Sequence, residues 1–349
     1  MKSGSKWSTV VDYFLILGSI IGVGFASGKE ISVFFFQFGK ASLLGLVCFA
    51  MLYFWLFFVV TYISKKLEIN SYDDFNKKIF GKFCKISKYL LLANFFITSA
   101  GMLAGADYLF LRFFDIGYKI PTIILSAITL ILIVGGINKI RIASNFIIPI
   151  MLFVIVTNSI VNLTEKNVHL PICEGNFSMA VYYGLLFGLN NFATALPILF
   201  SVKTKKFTKP FVVLTVCFII LLNILVLANN EFLTDMPMFE LSVNASKTFY
   251  YIYFATLIMA LFSTLVICSF DSKSILTKNG DKKHSVFVSF VVVLFNFILS
   301  KLGYDFIVKY LYVVSGIISA IYVLLFLIIS CVILISNKLN KKQKNSNNS

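Results

Sequence analysis

The chain has 349 residues, of which 59% are hydrophobic and 16% aromatic, with 39 Phe and only 13% charged residues, against about 25% charged in an ordinary soluble domain. That is too little polar surface to cover a soluble fold of this size, which excludes a soluble enzyme, a secreted disulfide scaffold and a disordered chain, and leaves a polytopic membrane protein. The net charge of +16 matches the basic excess that collects on the cytoplasmic side of membrane proteins and implies no nucleic-acid partner.

Ten apolar stretches follow one another at 10–38, 43–63, 86–114, 120–136, 142–163, 179–202, 211–228, 249–270, 286–302 and 307–335. In lipid every backbone polar group must be satisfied within the segment, so these are predicted to be helices; a barrel would show short alternating segments instead. No cleavage pattern follows the first stretch, which is kept as a span. With a cytoplasmic N-terminus, 23 of the 31 basic residues fall in inner segments. Glu165, Glu174, Glu231, Asp235 and Glu240 fall in outer loops. The expectation is an all-α membrane protein of a bacterial inner membrane, with both termini cytoplasmic. One transmembrane domain covers 1–337, and a basic, disordered tail covers 338–349.

Between the spans, Ser71-Tyr72-Asp73-Asp74 reads as a helix N-cap. Tyr72, Phe75, Ile79 and Phe83 then recur at helical spacing, which predicts a helix lying on the membrane surface. The outer segment 231–246 is long enough for a short helix over the outer mouth. The six cysteines lie singly, Cys173 alone in an outer loop, and His169 and His284 read as loop residues. No metal-ligand spacing, disulfide framework or intramembrane catalytic cluster is present, and neither an enzyme nor a cofactor is predicted.

The first span reads Leu17-Gly18-Ser19-Ile20-Ile21-Gly22-Val23-Gly24-Phe25-Ala26-Ser27-Gly28-Lys29-Glu30. Its glycines predict either a small-residue packing face, the common use of Gly-xxx-Gly, or a break that frees backbone groups to line a cavity. The sixth span repeats the pattern as Gly184-xxx-Gly188, then Asn190-Asn191-Phe192-Ala193-Thr194 and Pro197, at an offset of 166 and then 167 residues. Five spans per repeat force the two halves into opposite orientation, with repeats at about 8–163 and 178–336. Interrupted helices at matching places in inverted halves point to a transporter's binding site, so helices 1 and 6 are both predicted to be interrupted.

At these residues the chain resembles the amino acid–polyamine–organocation superfamily, with its LeuT-type five-plus-five inverted repeat. The run Ile21 to Ile31 with Phe34-Phe35 resembles the YkvI-like membrane proteins. The resemblance implies alternating access around a central site built from helices 1, 3, 6 and 8. It also implies a sodium site between helices 1 and 8, with carbonyls from Gly18, Ile21 and Ala260 and hydroxyls from Ser263 and Thr264. Five neutral oxygens suit a monovalent hard cation, although Ser-Thr pairs in membrane helices often only bond back to their own backbone.

Proton coupling is the rival, and needs a buried titratable group. Asp107 in the third span is either that group or an interface residue paired with Arg112 or a lysine. Lys6 and Asp271 resemble the family's cytoplasmic gate; Lys29 and Glu30 are candidates for an outer one, within reach of Lys301, Asp305 or Lys309. For the solute, the expected contacts are Gly22, Gly24, Ala26 and Ser27, then Phe187, Asn190 and Asn191. Ser99, Gly101 or Tyr108 would form the far wall. A solute carboxylate on the Gly22–Ser27 amides suits an amino acid, and equally another small zwitterion or a nucleobase. The functional expectation is a sodium-coupled symporter for a small amino-acid-like solute in the lipid bilayer, the rival being a non-transporting sensor like spore-germination permease subunits. The sequence carries no signal for oligomeric state.

Overall fold

The computed structural model of the protein describes residues 6–114, 120–164, 176–201, 208–230, 236–277 and 282–346. Glu165, His169, Cys173, Glu174, Glu231 and Asp235 lie outside the described residues, as do the side chains of Lys6 and Lys309. Among the described residues every regular element is a helix. The order is α1 (Lys6–Ile20), α2 (Val23–Ser27), α3 (Lys29–Phe34), α4 (Ser42–Lys66), α5 (Tyr72–Phe80), α6 (Cys84–Phe114), α7 (Ile120–Gly135) and α8 (Ile137–Thr164). Then come α9 (Phe177–Ser201), α10 (Thr208–Asn230), α11 (Pro237–Leu241), α12 (Lys247–Leu276), α13 (Lys282–Ser300), the single turn α14 (Tyr304–Phe306) and α15 (Tyr312–Ser346).

Among the described residues, eight helical segments are long and apolar enough to cross a membrane; the parts at Thr9–Ile20 and Ile120–Gly135 are apolar but shorter. Their burial sorts them into two shells. The apolar stretches of α6, α9 and α12 are mostly buried, whereas less than two-fifths of α4, α8, α13 and α15 is. The outer helices expose Phe58, Phe153 and Phe287 at 64–72%, a belt that water would not tolerate on a monomer and that lipid favours. This is a polytopic membrane protein with α1, α6, α9 and α12 at its centre.

Two short elements close the ends. Ser71 caps α5, accepting the Asp74 N–H at 3.1 Å, while the Asp74 carboxylate accepts the Asn70 N–H at 3.2 Å. The apolar face of α5 is not laid on the membrane surface as its spacing predicted. Phe75 is fully buried, with its ring 4.9 Å from Phe200 and 5.3 Å from Phe326, because a protein groove of aromatic side chains removes more apolar area from water than an interface does. On the opposite connection, the segment expected to hold a short helix forms α11. Asn158 Nδ2 donates to the Met238 carbonyl at 2.9 Å and Asn162 Nδ2 to the Leu241 carbonyl at 3.3 Å, which fixes α11 over Gly28. At Gly28 φ is +78° and a Cβ would stand 2.6 Å from Met238 Cγ, so both the backbone and the space there call for glycine.

The final helix also differs from expectation. α15 continues as helix to Ser346, through the stretch whose composition predicts disorder. Lys and Gln propagate a helix well once a span has nucleated it.

Candidate functional site

The first span breaks in the middle. Ile21 still donates its N–H to the Leu17 carbonyl at 2.8 Å. Gly22 then turns to extended backbone at φ −114°, ψ −161°, and a new ladder begins with Ala26 N–H on the Gly22 carbonyl at 3.2 Å. The last carbonyls of α1 therefore lose the donors a continuous helix would supply. The break is pressed onto α12. A Cβ at Gly22 would lie 2.7 Å from Thr264 Oγ1, and one at Gly18 would lie 3.4 Å from Ser263 Oγ. Ser263 Oγ is buried without a hydrogen-bond partner, while Thr264 Oγ1 donates to the Ala260 carbonyl at 3.3 Å. Ile21 and Ala260 are fully buried. Gly18 and Gly22 thus meet the Ser263-Thr264 pair directly, so three of the five residues expected for an ion site, Gly18, Ser263 and Thr264, lie at one α1–α12 contact.

The sixth span does not break. α9 runs as one helix from Phe177 to Ser201, which corrects the expectation of two interrupted helices. Two of its polar side chains bond its own backbone, Asn191 Nδ2 donating to the Phe187 carbonyl at 3.0 Å and Thr194 Oγ1 to the Asn191 carbonyl at 2.8 Å, while Asn190 Oδ1 is buried without a partner. Its glycines serve packing, Gly184 lying against the Gly45 carbonyl of α4 and Gly188 against Leu52 and Phe49.

A cavity of about 40 Å³ opens on the break, lined by Ser19, Ile20, Gly22, Val23 and Gly24 of the first span, with Thr98 and Met102 of α6. Asn190, Asn191 and Thr194 of α9, Thr264, Ile267 and Cys268 of α12, Glu30 of α3 and Tyr312 of α15 complete it. About 10–15 Å³ on this measure holds one water, so the cavity has space for roughly three. Tyr312 follows a wide π turn at Ile307–Leu311 and packs on Gly101, where a Cβ would lie 3.1 Å from its ring and hydroxyl.

Of the predicted solute contacts, Gly22, Gly24, Asn190 and Asn191 line this cavity; the others do not. Phe187 is core, its ring 5.1–5.6 Å from Phe25, Phe34, Phe35 and Phe49. The Ala26 carbonyl accepts from Tyr253 OH at 2.6 Å, and Ser27 is buried. Ser99 is buried outside the lining; Thr98 and Met102 take the wall assigned to it, to Gly101 and to Tyr108. Tyr108 stacks on Tyr304 at 5.0 Å and accepts from Arg112.

The charged candidates are also redistributed. Asp107, offered as a proton carrier, has its Oδ1 accepting the Thr122 N–H at 3.2 Å in the first turn of α7, where a helix start leaves N–H groups without intrahelical partners. Arg112, its suggested partner, pairs instead with Glu240 at 2.6 Å. Glu30, offered as an outer-gate residue, lies at the central cavity. Its side chain folds back over Gly24, in the volume a Cβ there would fill, and lines the cavity. Lys301 lies over the Phe297 ring at 5.3 Å and Asp305 is exposed. Lys29 is half-buried, its N–H on Ser27 Oγ at 3.3 Å. Asp271 is buried in the inner part of α12 with Oδ2 unpartnered, and Asp12 pairs with Arg141 at 3.3 Å.

Sequence reasoning missed Thr98, Met102 and Tyr312. Asn94, Thr98 and Met102 recur every four residues along α6, a stripe that a helical count through the third span would expose. Tyr312 carries no such signal, because a π turn sets its direction.

Among known proteins, the chain is 24% identical over 337 residues to the uncharacterized membrane protein YkvI of Bacillus subtilis (strain 168), covering 91% of this chain and 95% of that protein. It is 28% identical over 151 residues to the uncharacterized protein YyaD of the same organism, covering 43% of this chain and 42% of that protein. No family model matches the chain. Among solved structures, a Na+-coupled sialic acid symporter in its substrate-bound outward-open state aligns with a TM-score of 0.62 at 12% identity, over 93% of this chain and 80% of that one. A mutant form of the manganese transporter of Eremococcus coleocola aligns with a TM-score of 0.56 at 12% identity, over 96% of this chain and 88% of that one. The chain shares the fold of these membrane transporters.

Proposed function

We propose that this protein is a secondary active transporter of the amino acid–polyamine–organocation type, which moves a small amino-acid-like solute by alternating access with sodium as the coupling ion. The observation that carries this reading is the break at Ile21–Gly22. It frees carbonyls at the end of α1, lies where Gly18 and Gly22 approach Ser263 and Thr264 of α12, the Ser263 hydroxyl being unpartnered, and opens on the central cavity. Irregular backbone at membrane depth is tolerated where it lines a cavity or meets an ion. A sodium ion held by Gly18, Ile21, Ala260, Ser263 and Thr264 would satisfy those oxygens and tie α1 to α12, so that its release loosens the pair. The shared fold with a Na+-coupled sialic acid symporter supports ion coupling.

The ten-span, five-plus-five arrangement is supported by the position of the short helices, since α5 and α11 each stand between the second and third spans of their half. The outer side is closed by α11 on Gly28 and by the Arg112–Glu240 pair. The Asp12–Arg141 pair ties α1 to α8, and a Lys6–Asp271 pair would close the inner side. Such pairs, worth about 0–1 kcal/mol each where exposed, can form and break in every cycle.

The test is uptake into proteoliposomes. A sodium gradient should accumulate at least one small amino compound, and Ser263→Ala with Thr264→Ala should remove the sodium dependence while the protein stays folded. Saturable binding without flux would instead identify a sensor, and unchanged sodium dependence in the double variant would refute the ion site.

A further inference from the structure

A second hollow lies on the outside of the helix bundle, an open groove of about 610 Å³ against about 40 Å³ for the central cavity. Leu130 and Val134, one turn apart on α7, form one wall; Val286, Phe287 and Phe290, near the start of α13, form the other. The walls face outward, with Val134, Val286, Phe287 and Phe290 40–64% exposed. Lys282 and Lys283, both exposed, complete the lining. In such a place a lysine lays its hydrocarbon stem along the apolar wall and keeps its ammonium group at the rim. The groove opens at the end of α7 that the distribution of Lys and Arg predicts to be cytoplasmic, and that end is basic beyond these two residues. Lys273 of α12 donates to the Ile133 carbonyl at 2.7 Å, and Lys139 of α8 folds onto Gly135. Four lysines therefore gather at the end of α7, and among the described residues no Asp or Glu lines the groove. Lys278 and Asp281 of the preceding connection lie outside the described residues.

We propose that this groove binds an anionic phospholipid of the cytoplasmic leaflet, one acyl chain lying between α7 and α13 and the phosphate against Lys282 and Lys283. The occupant must bring hydrocarbon to the walls and negative charge to the rim, and an acidic phospholipid brings both in that order of depth. Basic pockets between membrane helices recruit acidic headgroups in this way. A lipid with a neutral headgroup fills the walls and leaves the rim without an added negative charge. A neighbouring helix fits less well, because helix contacts in membranes use small residues for close approach, whereas Leu, Val, Phe and Lys line this groove. The site is independent of what the central cavity carries. A lipid held there bridges α7 and α13, which pack on each other. Through the Lys273 bond to the Ile133 carbonyl, it also steadies the end of α7 against α12.

The experiment measures the Tm of the purified full chain in neutral detergent as dioleoylphosphatidylglycerol, dioleoylphosphatidylcholine or inorganic phosphate is added. A ligand that binds the folded state raises Tm with its concentration. Three variants are measured beside the wild type. Lys282→Gln with Lys283→Gln removes the charge at the rim, and Val134→Trp fills the groove while keeping that charge. Lys65→Gln with Lys66→Gln removes an exposed pair at the end of α4, which does not line the groove. Phosphatidylglycerol should protect the wild type at a concentration at least tenfold below that needed for phosphatidylcholine, and phosphate should not protect it. Both groove variants should need at least tenfold more phosphatidylglycerol, and the α4 variant should respond as the wild type does. Equal protection by the two lipids, protection by phosphate alone, or an equal loss in the α4 variant would overturn the proposal. So would a dimer in lipid-free detergent that Val134→Trp splits, since a second copy of the chain would then occupy the groove.

Discussion

The first and sixth spans carry nearly the same motif and adopt different structures. Both read Gly-xxx-Gly followed by Phe-Ala-Ser or Phe-Ala-Thr, yet the first breaks at Gly22 and the other, α9, continues to Ser201. The difference lies in what each glycine faces. Gly184 abuts the backbone of α4 at Gly45, so its missing side chain is used for helix–helix contact and the ladder stays intact. Gly22 faces the Thr264 hydroxyl, a polar group that can share a ligand with a freed carbonyl. Polar side chains follow the division only in part: Asn191 and Thr194 return their hydrogens to α9 and Ser263 beside the break has no partner, but Asn190 Oδ1 of α9 is unpartnered as well. A glycine motif in a membrane span marks close approach; whether the helix opens depends on the chemistry of the surface approached.

The largest expected effect tests the packing half of this contrast. Gly184→Ala puts a methyl into the Gly45 carbonyl, with backbone rather than a flexible side chain in its way. It should lower stability by about 1–3 kcal/mol, seen as a reduced Tm in detergent, and leave the sodium response of the remaining folded protein unchanged. Gly22→Ala should do the reverse. Its Cβ meets the Thr264 hydroxyl at 2.7 Å, where that side chain can rotate away, so folding should survive while the proposed ion site is blocked. The sodium concentration giving half-maximal stabilisation should rise at least tenfold, or about 1.4 kcal/mol. If Gly22→Ala instead lowered Tm and spared sodium, both spans would be packing faces and the contrast would fail. Smaller again is Asn191→Ala, which removes one side-chain bond to the Phe187 carbonyl and should cost about 0.5–1.5 kcal/mol, without melting α9, as amide exchange at 187–195 would report.

The membrane class, the apolar segments and the break at Gly22 were legible in the sequence because they follow from local facts: run length, charge and glycine content. The unbroken α9 was not, because its fate is set by the Gly45 backbone 139 residues away in the chain. The candidate site was half legible. Gly22, Gly24, Asn190 and Asn191 stood out as breakers and polar residues at mid-span, whereas Phe187 belongs to an aromatic cluster that no local pattern separates from a ligand wall. Glu30 was noticed for its charge and then placed outside the cavity, since extending the second half of the helix from Ser27 carries it away from the centre. The left-handed Gly28 turn redirects the chain and lets that side chain fold back over Gly24. The amphipathic face of α5 was visible as a pattern, but what covers it, Phe200 and Phe326, comes from two distant helices.

The division between polar groups returned to the backbone and polar groups left facing a cavity also separates two carboxylates that look alike in sequence. Asp107 sits in the third span as Glu30 sits in the first, and by intramembrane position both are functional candidates. Asp107, however, accepts the Thr122 N–H at 3.2 Å, in the first turn of α7, where orphan donors favour a negative charge. Asp107→Asn keeps an oxygen for that bond and loses only the charge–dipole term, so it should cost about 0.3–1 kcal/mol. Solute binding and the sodium response should not change. It is the smallest effect of the set and the most discriminating one. Loss of uptake in Asp107→Asn at unchanged Tm would move the working carboxylate to α6 and restore proton coupling through Asp107. Normal uptake with a slightly lowered Tm would leave Glu30 as the carboxylate that lines the central cavity.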